Sequence, residues 1–397
     1  MPVPGQLWAE IDLDAIAHNV RQLVFFLSAG RERPPLLMAV VKADAYGYGA
    51  VTVARVALAA GARWLGVSTV PEAMELREAG LDAPILVFNP PLEEEMDLYP
   101  EYALTATAAG AAVARRLGPA CHLKVDTGFG RFGVTPGEAE AILQEAATGG
   151  VYTHLGAHRP RLLARRFAPF RSLLERLTDL GRRPPLAHAA ASAAILLCPD
   201  THLDLVRAGN LIYGLWPEGR PRPGLDLRPA WRLRARLVAL HDVLPGSATG
   251  YGGERRLPRG SRVAVVPAGF ADGLGLEPLG RLERSGNLAR HLARAVLGRL
   301  GMRLSPANGA VEIRGRLAPR VGRPGMAHTV VDVTGFAGLA VGEEVTLHAR
   351  RTTVNARVPR LYLKGGRPAA LRAGTGILAA GSRDPVAAGT AAVTGEA

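Results

Sequence analysis

From residue 7 to about residue 228, short apolar runs alternate with segments of helical length. Runs at 7–13, 36–41, 64–68, 85–88, 103–105, 122–125, 151–154, 186–189 and 204–207 read as strands, several of them apolar throughout, as expected of strands buried on both faces. Between them the spacing predicts helices over 14–29, with a polar face at His18, Asn19 and Arg21, and over 50–60, 70–79, 136–147 and 166–180. Pro71 suits the first turn of its helix. Repeated strand–helix units of this size imply a parallel sheet, and about eight of them imply a closed barrel. An open doubly wound sheet is the weaker reading, because no GxGxxG opens an early helix and the polar, reactive residues follow many different strands.

Near Pro229 the pattern changes. Trp231, Leu233, Ala235 and Leu237 alternate with Arg232, Arg234, Arg236 and Val238, a period of two. Further strands are expected at 262–266, 311–313, 329–333, 344–347 and 360–363, with few helices between. The exception is a helix near 286–301, where Leu288, Leu292, Val296 and Leu300 recur at four-residue spacing. The expectation is an α/β chain: a (β/α)8 TIM-type barrel over 7–228, a mostly β domain over 229–372 carrying that inserted helix, and a mobile tail over 373–397, where patterning fades.

The formal net charge is +13 and hydrophobic residues make up 48% of the chain. The arginines are spread along the sequence and accompany no nucleic-acid-binding pattern, so the charge reads as a compositional bias; no nucleic-acid partner is expected, and small anionic substrates or phosphates are compatible with it. No window approaches the roughly 18 unbroken apolar residues of a membrane span. The first residues lack the layout of a secretory signal, so a cytoplasmic protein is expected. Cys121 and Cys198 make no disulfide framework. His154 and His158 are spaced HxxxH but have no glutamate after the first histidine, and no metal site is expected.

Only Lys42, Lys124 and Lys364 of the 48 basic residues are lysines. Lys42 follows an apolar strand and precedes the turn Ala43-Asp44-Ala45-Tyr46-Gly47. A desolvated lysine there can lose its proton and act as a nucleophile, which arginine cannot. A buried lysine satisfied by Asp44 is the alternative, and spacing alone weighs the two equally. Lys124 ends another strand and is followed by a glycine-rich loop bearing Arg131, which can grip a carboxylate or order its own loop. Arg207 ends a further strand before Gly209 and Asn210, whose backbone could cradle a phosphate. His154 and His188 end two more. In a barrel all of these share one rim. Tyr251, held between Gly250 and Gly252, is either an ordinary surface aromatic or a base whose acidity nearby cations raise.

WAEIDLDAIAHNV from Trp8, VVKADAYGYG around Lys42, HLKVDTGFGRFGV from His122, HAAASAA from His188, RAGNLIYGL from Arg207, TGYGG around Tyr251, PAGFADG around Phe270 and VGRPGM ending at Met326 stand in that order. In this series the chain resembles the alanine racemase family over roughly residues 7 to 363. The resemblance implies a homodimeric pyridoxal 5'-phosphate enzyme that interconverts L- and D-alanine for cell-wall synthesis. It implies that Lys42 holds the cofactor as a Schiff base and serves as one acid/base group, with Tyr251 of the partner subunit as the opposite one. Tyr46, Ser192, Gly209 and Asn210 would surround the phosphate. Arg207 would face the pyridine nitrogen with His188 behind it, and His154 would lie close to the ring. Arg131 and the backbone N–H of Met326 would hold the substrate carboxylate, and Lys124 is the position that can be carbamylated to orient Arg131. A racemase of another amino acid, or a cofactor-binding paralogue with little activity, are the alternative readings.

The chain departs from the family pattern in several places. Phe270 replaces a tyrosine, Ala327 an aspartate, Gly325 a cysteine, Tyr48 a histidine and Ala191 an asparagine. The stretch 350–359 lacks a tyrosine segment that reaches the phosphate, and residues 155–160 lack the usual acidic residues. These changes surround the expected machinery of Lys42, Tyr251, Arg207 and Arg131 and leave it in place.

Overall fold

The computed structural model describes residues 5–217, 221–222, 224–249, 255–256, 260–276, 309–374 and 376–379. Tyr251, the expected helix near 286–301 and most of the expected tail lie outside these residues.

Two compact units emerge, one comprising Leu13–Ala230 and the other the N-terminal twelve residues together with the chain from Trp231 onward. In the first, two four-stranded parallel sheets run Ile85–Val87, Trp64–Val67, Leu36–Val40, Leu205–Ala208 and Ala106–Ala108, Cys121–Val125, Gly150–Thr153, Leu186–His188 in spatial order. Parallel bridges Leu86↔Thr105 and Ala191↔Arg207 join the two sheets at both edges. The eight strands therefore close on themselves, which leaves no free edge. Their residues are buried on both faces, which is why they read as unbroken apolar runs.

Three details differ from the sequence reading. Leu7–Asp12 is not part of the barrel: it pairs antiparallel with Trp231–Arg236 and parallel with Arg360–Lys364. Its alternation suits a sheet with one solvated face, and its helix, Leu13–Ser28, begins the barrel unit without a strand of its own. Asn19, expected on the polar face of that helix, is fully buried, with its amide donating to Ile212 O and Arg228 O and accepting from Arg228 N–H. A side chain satisfied on both ends loses nothing by burial. The helix expected over 166–180 begins earlier, at Pro160, and runs to Asp179 through Pro169. Its buried face, with Leu163, Phe167, Phe170, Leu173, Leu174 and Leu177, holds it together across that proline.

In the second unit an eight-stranded sheet has the order Arg316–Ala318, Ala310–Ile313, Glu344–His348, Trp231–Arg236, Leu7–Asp12, Arg360–Lys364, Arg367–Ala373, Gly376–Ala379. A three-stranded sheet is formed by Ala239–Val243, Ser261–Val266 and Thr329–Asp332. The period-two reading at Trp231 corresponds to burial of Leu233 and Ala235 with Arg232 exposed. These side chains join Val266, Val311, Ile313, Val331, Val345 and Leu347 in one core. Gly376–Ala379, within the stretch expected to be mobile, pairs antiparallel with Ala370–Ala373.

Candidate active site

The lysine strand ends at Val40, and the chain turns at once into a left-handed path. Ala43, Asp44, Ala45 and Tyr46 all have φ between 51° and 58°. L-residues disfavour this region by roughly 1–2 kcal/mol each, so the turn persists because its surroundings hold it. Ala43 N–H donates to Glu72 Oε1 at 2.7 Å, and Ala45 N–H to Val41 O at 2.7 Å. Asp44 Oδ1 accepts from Ala50 N–H at 2.8 Å and so satisfies the first N–H of the helix Ala50–Ala59. From the other side Tyr213 Oη donates to Val40 O at 3.0 Å, and its ring packs 5.1 Å from that of Tyr46 and 4.6 Å from that of Tyr48. The amine of Lys42 lies 5.9 Å from the centre of the Phe88 ring. Burial, and then the charge of Arg131, lower its pKa from the ordinary lysine value, while Glu72 opposes them.

Lys124, at the end of Cys121–Val125, is buried and donates from Nζ to Phe132 O at 2.8 Å, with its ammonium 3.6 Å from the Phe132 ring centre. Burial first and Arg131 second bring its pKa down to about 8. The loop that follows is ordered by Asp126, which accepts N–H groups of Gly128, Phe129 and Gly130. Arg131 is exposed, its guanidinium 4.9 Å from both the Phe129 and Phe132 ring centres.

Arg207 is buried among acceptors: Nη1 donates to His188 Nδ1 at 2.7 Å, and Nη2 to Thr153 O at 2.9 Å and Ala189 O at 3.2 Å. His154 stands edge-on to Phe129 at 4.8 Å. Burial, then the charges of Arg207, Arg131, Lys124 and Lys42, hold its pKa near 3, so it is neutral at physiological pH. Gly209 N–H donates to Ser192 Oγ at 3.3 Å. A Cβ at Gly209 would meet Tyr46 Oη at 2.5 Å, so only glycine lets that hydroxyl approach the backbone so closely.

One cavity of about 420 Å³ collects these groups. Every candidate of the barrel unit except His188 lines it: Lys42, Tyr46, Lys124, Arg131, His154, Ser192, Arg207, Gly209 and Asn210. His188 touches the cavity wall through Arg207, which lines it. Met326 belongs to the other unit, where it is 64% exposed, and Tyr251 lies outside the described residues. Three contributors escaped the sequence reading. Glu72, which also accepts from Ser68 N–H and Thr69 N–H, had a legible signal in the Thr69-x-x-Glu72 spacing of a capping box. Phe88 and Tyr152 had none, because each is one more apolar residue in a buried strand or at its end.

The family model described as alanine racemase, N-terminal domain, matches residues 11–217, and that described as alanine racemase, C-terminal domain, matches residues 230–361. The alanine racemase of Desulfosudis oleivorans is 36% identical over 92% of this chain and 98% of its own. That of Desulforamulus reducens is 37% identical over 86% of this chain and 89% of its own. Among solved structures, alanine racemase from Bacillus anthracis with bound L-Ala-P superposes with a TM-score of 0.77 at 27% identity, covering 94% of this chain and 99% of that one. Alanine racemase from D-cycloserine-producing Streptomyces lavendulae does so with a TM-score of 0.72 at 31% identity, covering 92% and 98%.

Proposed function

The chain belongs to the alanine racemase family, and from that premise we propose that its barrel cavity binds pyridoxal 5'-phosphate and alanine and exchanges the α-proton between the two faces of the substrate. The enzyme is an isomerase, and it needs one proton-transferring group on each side of the α-carbon. The observation that carries the reading is the placement of Lys42. An amine of lowered pKa, presented by the left-handed turn, opens into a cavity that it shares with Arg131, Lys124, His154 and Arg207.

The residues present fit the cofactor. At one end of the cavity Tyr46 Oη, Ser192 Oγ and the Gly209 backbone converge, in a space that a Cβ at position 209 would fill. That is the chemistry of a phosphate cradle, completed by Asn210. Further along, Arg207 keeps N–H groups beyond those given to His188, Thr153 and Ala189. It can donate to a ring nitrogen and cannot protonate it. When bound, the cofactor supplies the electron sink that makes the α-proton acidic.

Lys42 Nζ would hold and move the proton on one face, and Tyr251 Oη, contributed by the partner subunit of a homodimer, on the other, with the Met326 N–H presented to the substrate carboxylate. An arginine at the ring nitrogen tempers the sink, which favours return of the proton over side reactions. Arg131 would grip the substrate carboxylate as a fork. Lys124, with its pKa near 8, holds enough neutral amine to add to carbon dioxide with loss of a proton, and the resulting carbamate would pair with Arg131. The test is incubation of purified protein with L-alanine, followed by chiral chromatography. D-alanine is expected, and its absence from cofactor-loaded protein would overturn the reading.

A further inference from the structure

Behind Arg207 lies a chain of buried polar groups that the proposed reaction does not use. His188 Nε2 is 2.9 Å from His122 Nδ1, so Arg207, His188 and His122 are hydrogen-bonded in series. All three are buried, with exposures of 4%, 0% and 1%. We propose that His122 is a positioning residue: it holds the proton of His188 on Nε2 and so keeps Arg207 aimed at the cavity as a donor only.

The direction of the chain follows from valence. Arginine has no acceptor, so Nη1 donates and His188 Nδ1 carries the lone pair. A neutral imidazole then has its single proton on Nε2, and that proton points at His122 Nδ1, which must accept. Burial and the nearby Arg207 charge keep both rings in the neutral form that this arrangement needs, with the pKa of His122 near 3 and that of His188 well below the ordinary value.

The surroundings are shaped to hold both rings. Tyr152 stacks flat on His188, with ring centres 4.7 Å apart and 2° between planes. Tyr152 is tethered in turn: Thr107 Oγ1 donates to Val87 O at 2.7 Å and accepts from Tyr152 Oη at 2.9 Å. His122 packs 5.3 Å from Trp64, and a Cβ at Gly150 would come within 2.7 Å of its ring, so the neighbouring strand makes room for an imidazole at this position. If the acceptor at 122 is lost, His188 must either leave a buried N–H unpaired or shift its proton to Nδ1 and face the arginine donor with a donor. Both outcomes loosen Arg207.

The consequence for catalysis rests on the assignment of Arg207 to the cofactor ring nitrogen, whereas the tautomer can be read without cofactor. Nitrogen-15 NMR of cofactor-free, histidine-labelled protein should show His188 protonated on Nε2 alone, with coupling through the hydrogen bond to His122 Nδ1. His122→Asn offers an amide oxygen in place of Nδ1 and should retain a slowly exchanging His188 proton. His122→Leu should exchange it about tenfold faster, the factor that one net hydrogen bond makes. A proton on His188 Nδ1, or equal exchange in the two variants with both shown to be folded by thermal melts, overturns the proposal. In loaded enzyme kcat should fall in His122→Leu and recover in His122→Asn. If the NMR result stands while kcat is equal in the two variants, the ring-nitrogen assignment of Arg207 fails and the tautomer lock survives.

Discussion

Gly209→Ala isolates the phosphate end of the site with a single methyl group. Its Cβ would lie 2.5 Å from Tyr46 Oη and 3.2 Å from Cζ, whereas ordinary contact begins at 3.4 Å, so the hydroxyl must retreat by 0.9 Å, the difference of the two distances. The backbone of Gly209 has a negative φ of −101°, not the left-handed conformation that demands glycine, so the main cost of the methyl is its clash with the tyrosine. Tyr46 has little room to yield, because it belongs to the left-handed turn and packs against Tyr213. A hydroxyl displaced by this much forfeits its bond to the phosphate. A hydrogen bond to a charged group is worth about 1.5–3 kcal/mol, and cofactor affinity should drop by about tenfold to a hundredfold. The assay is titration of apoprotein with pyridoxal 5'-phosphate, followed by absorbance, for wild type, Gly209→Ala, Tyr46→Phe and the double variant. With the hydroxyl gone the methyl meets ring carbons only, at 3.2 Å and 3.6 Å, so the alanine should add little to Tyr46→Phe. The reasoning is refuted if Gly209→Ala binds within twofold of wild type, or if its penalty is undiminished in the Tyr46→Phe background.

Lys42→Ala and Tyr251→Phe should each lack racemase activity, yet mixing and reassociating the two should restore part of it, because one of the two sites in a mixed dimer then has both groups; no recovery despite demonstrated mixed dimers would rule out a shared site. Glu72 raises the pKa of Lys42, so Glu72→Gln makes the ammonium less favourable and should move the acid limb of the pH–rate profile for pyridoxal 5'-phosphate addition to apoprotein to lower pH; a shift to higher pH would contradict the assignment. Lys124 has a folded-state pKa of about 8 against an ordinary 10.5, so between those values the unfolded chain binds more protons than the folded one. Measured by denaturant unfolding in carbonate-free buffer, the stability of wild type relative to Lys124→Met should therefore rise as pH climbs from 8 towards 10.5 and be flat below that window.

Much of the architecture was legible because its signals are local. Apolar runs at strand spacing, and a period of two from Trp231, marked a barrel followed by a β domain. The scarcity of lysine drew attention to Lys42 and Lys124 before any fold was known. What misled was adjacency. Leu7–Asp12 is followed directly by a helix, like a barrel strand, but its partners lie more than two hundred residues away. Asn19 looked like a surface residue because its acceptors, Ile212 O and Arg228 O, are equally remote in sequence.

The sequence by itself determined which residues could do chemistry, since the identity of an amine, a guanidinium or an imidazole does not depend on the fold. Only the tertiary structure decided their states. Burial beside Arg131 lowers the pKa values of Lys42 and Lys124, and a left-handed turn tied to Glu72 and Tyr213 presents Lys42 to the cavity. The chain from Arg207 through His188 to His122 joins three strands, at positions 207, 188 and 122, and sets which ring nitrogen carries a proton. Desolvation and hydrogen-bond direction are properties of neighbours, and these neighbours meet only when the barrel closes.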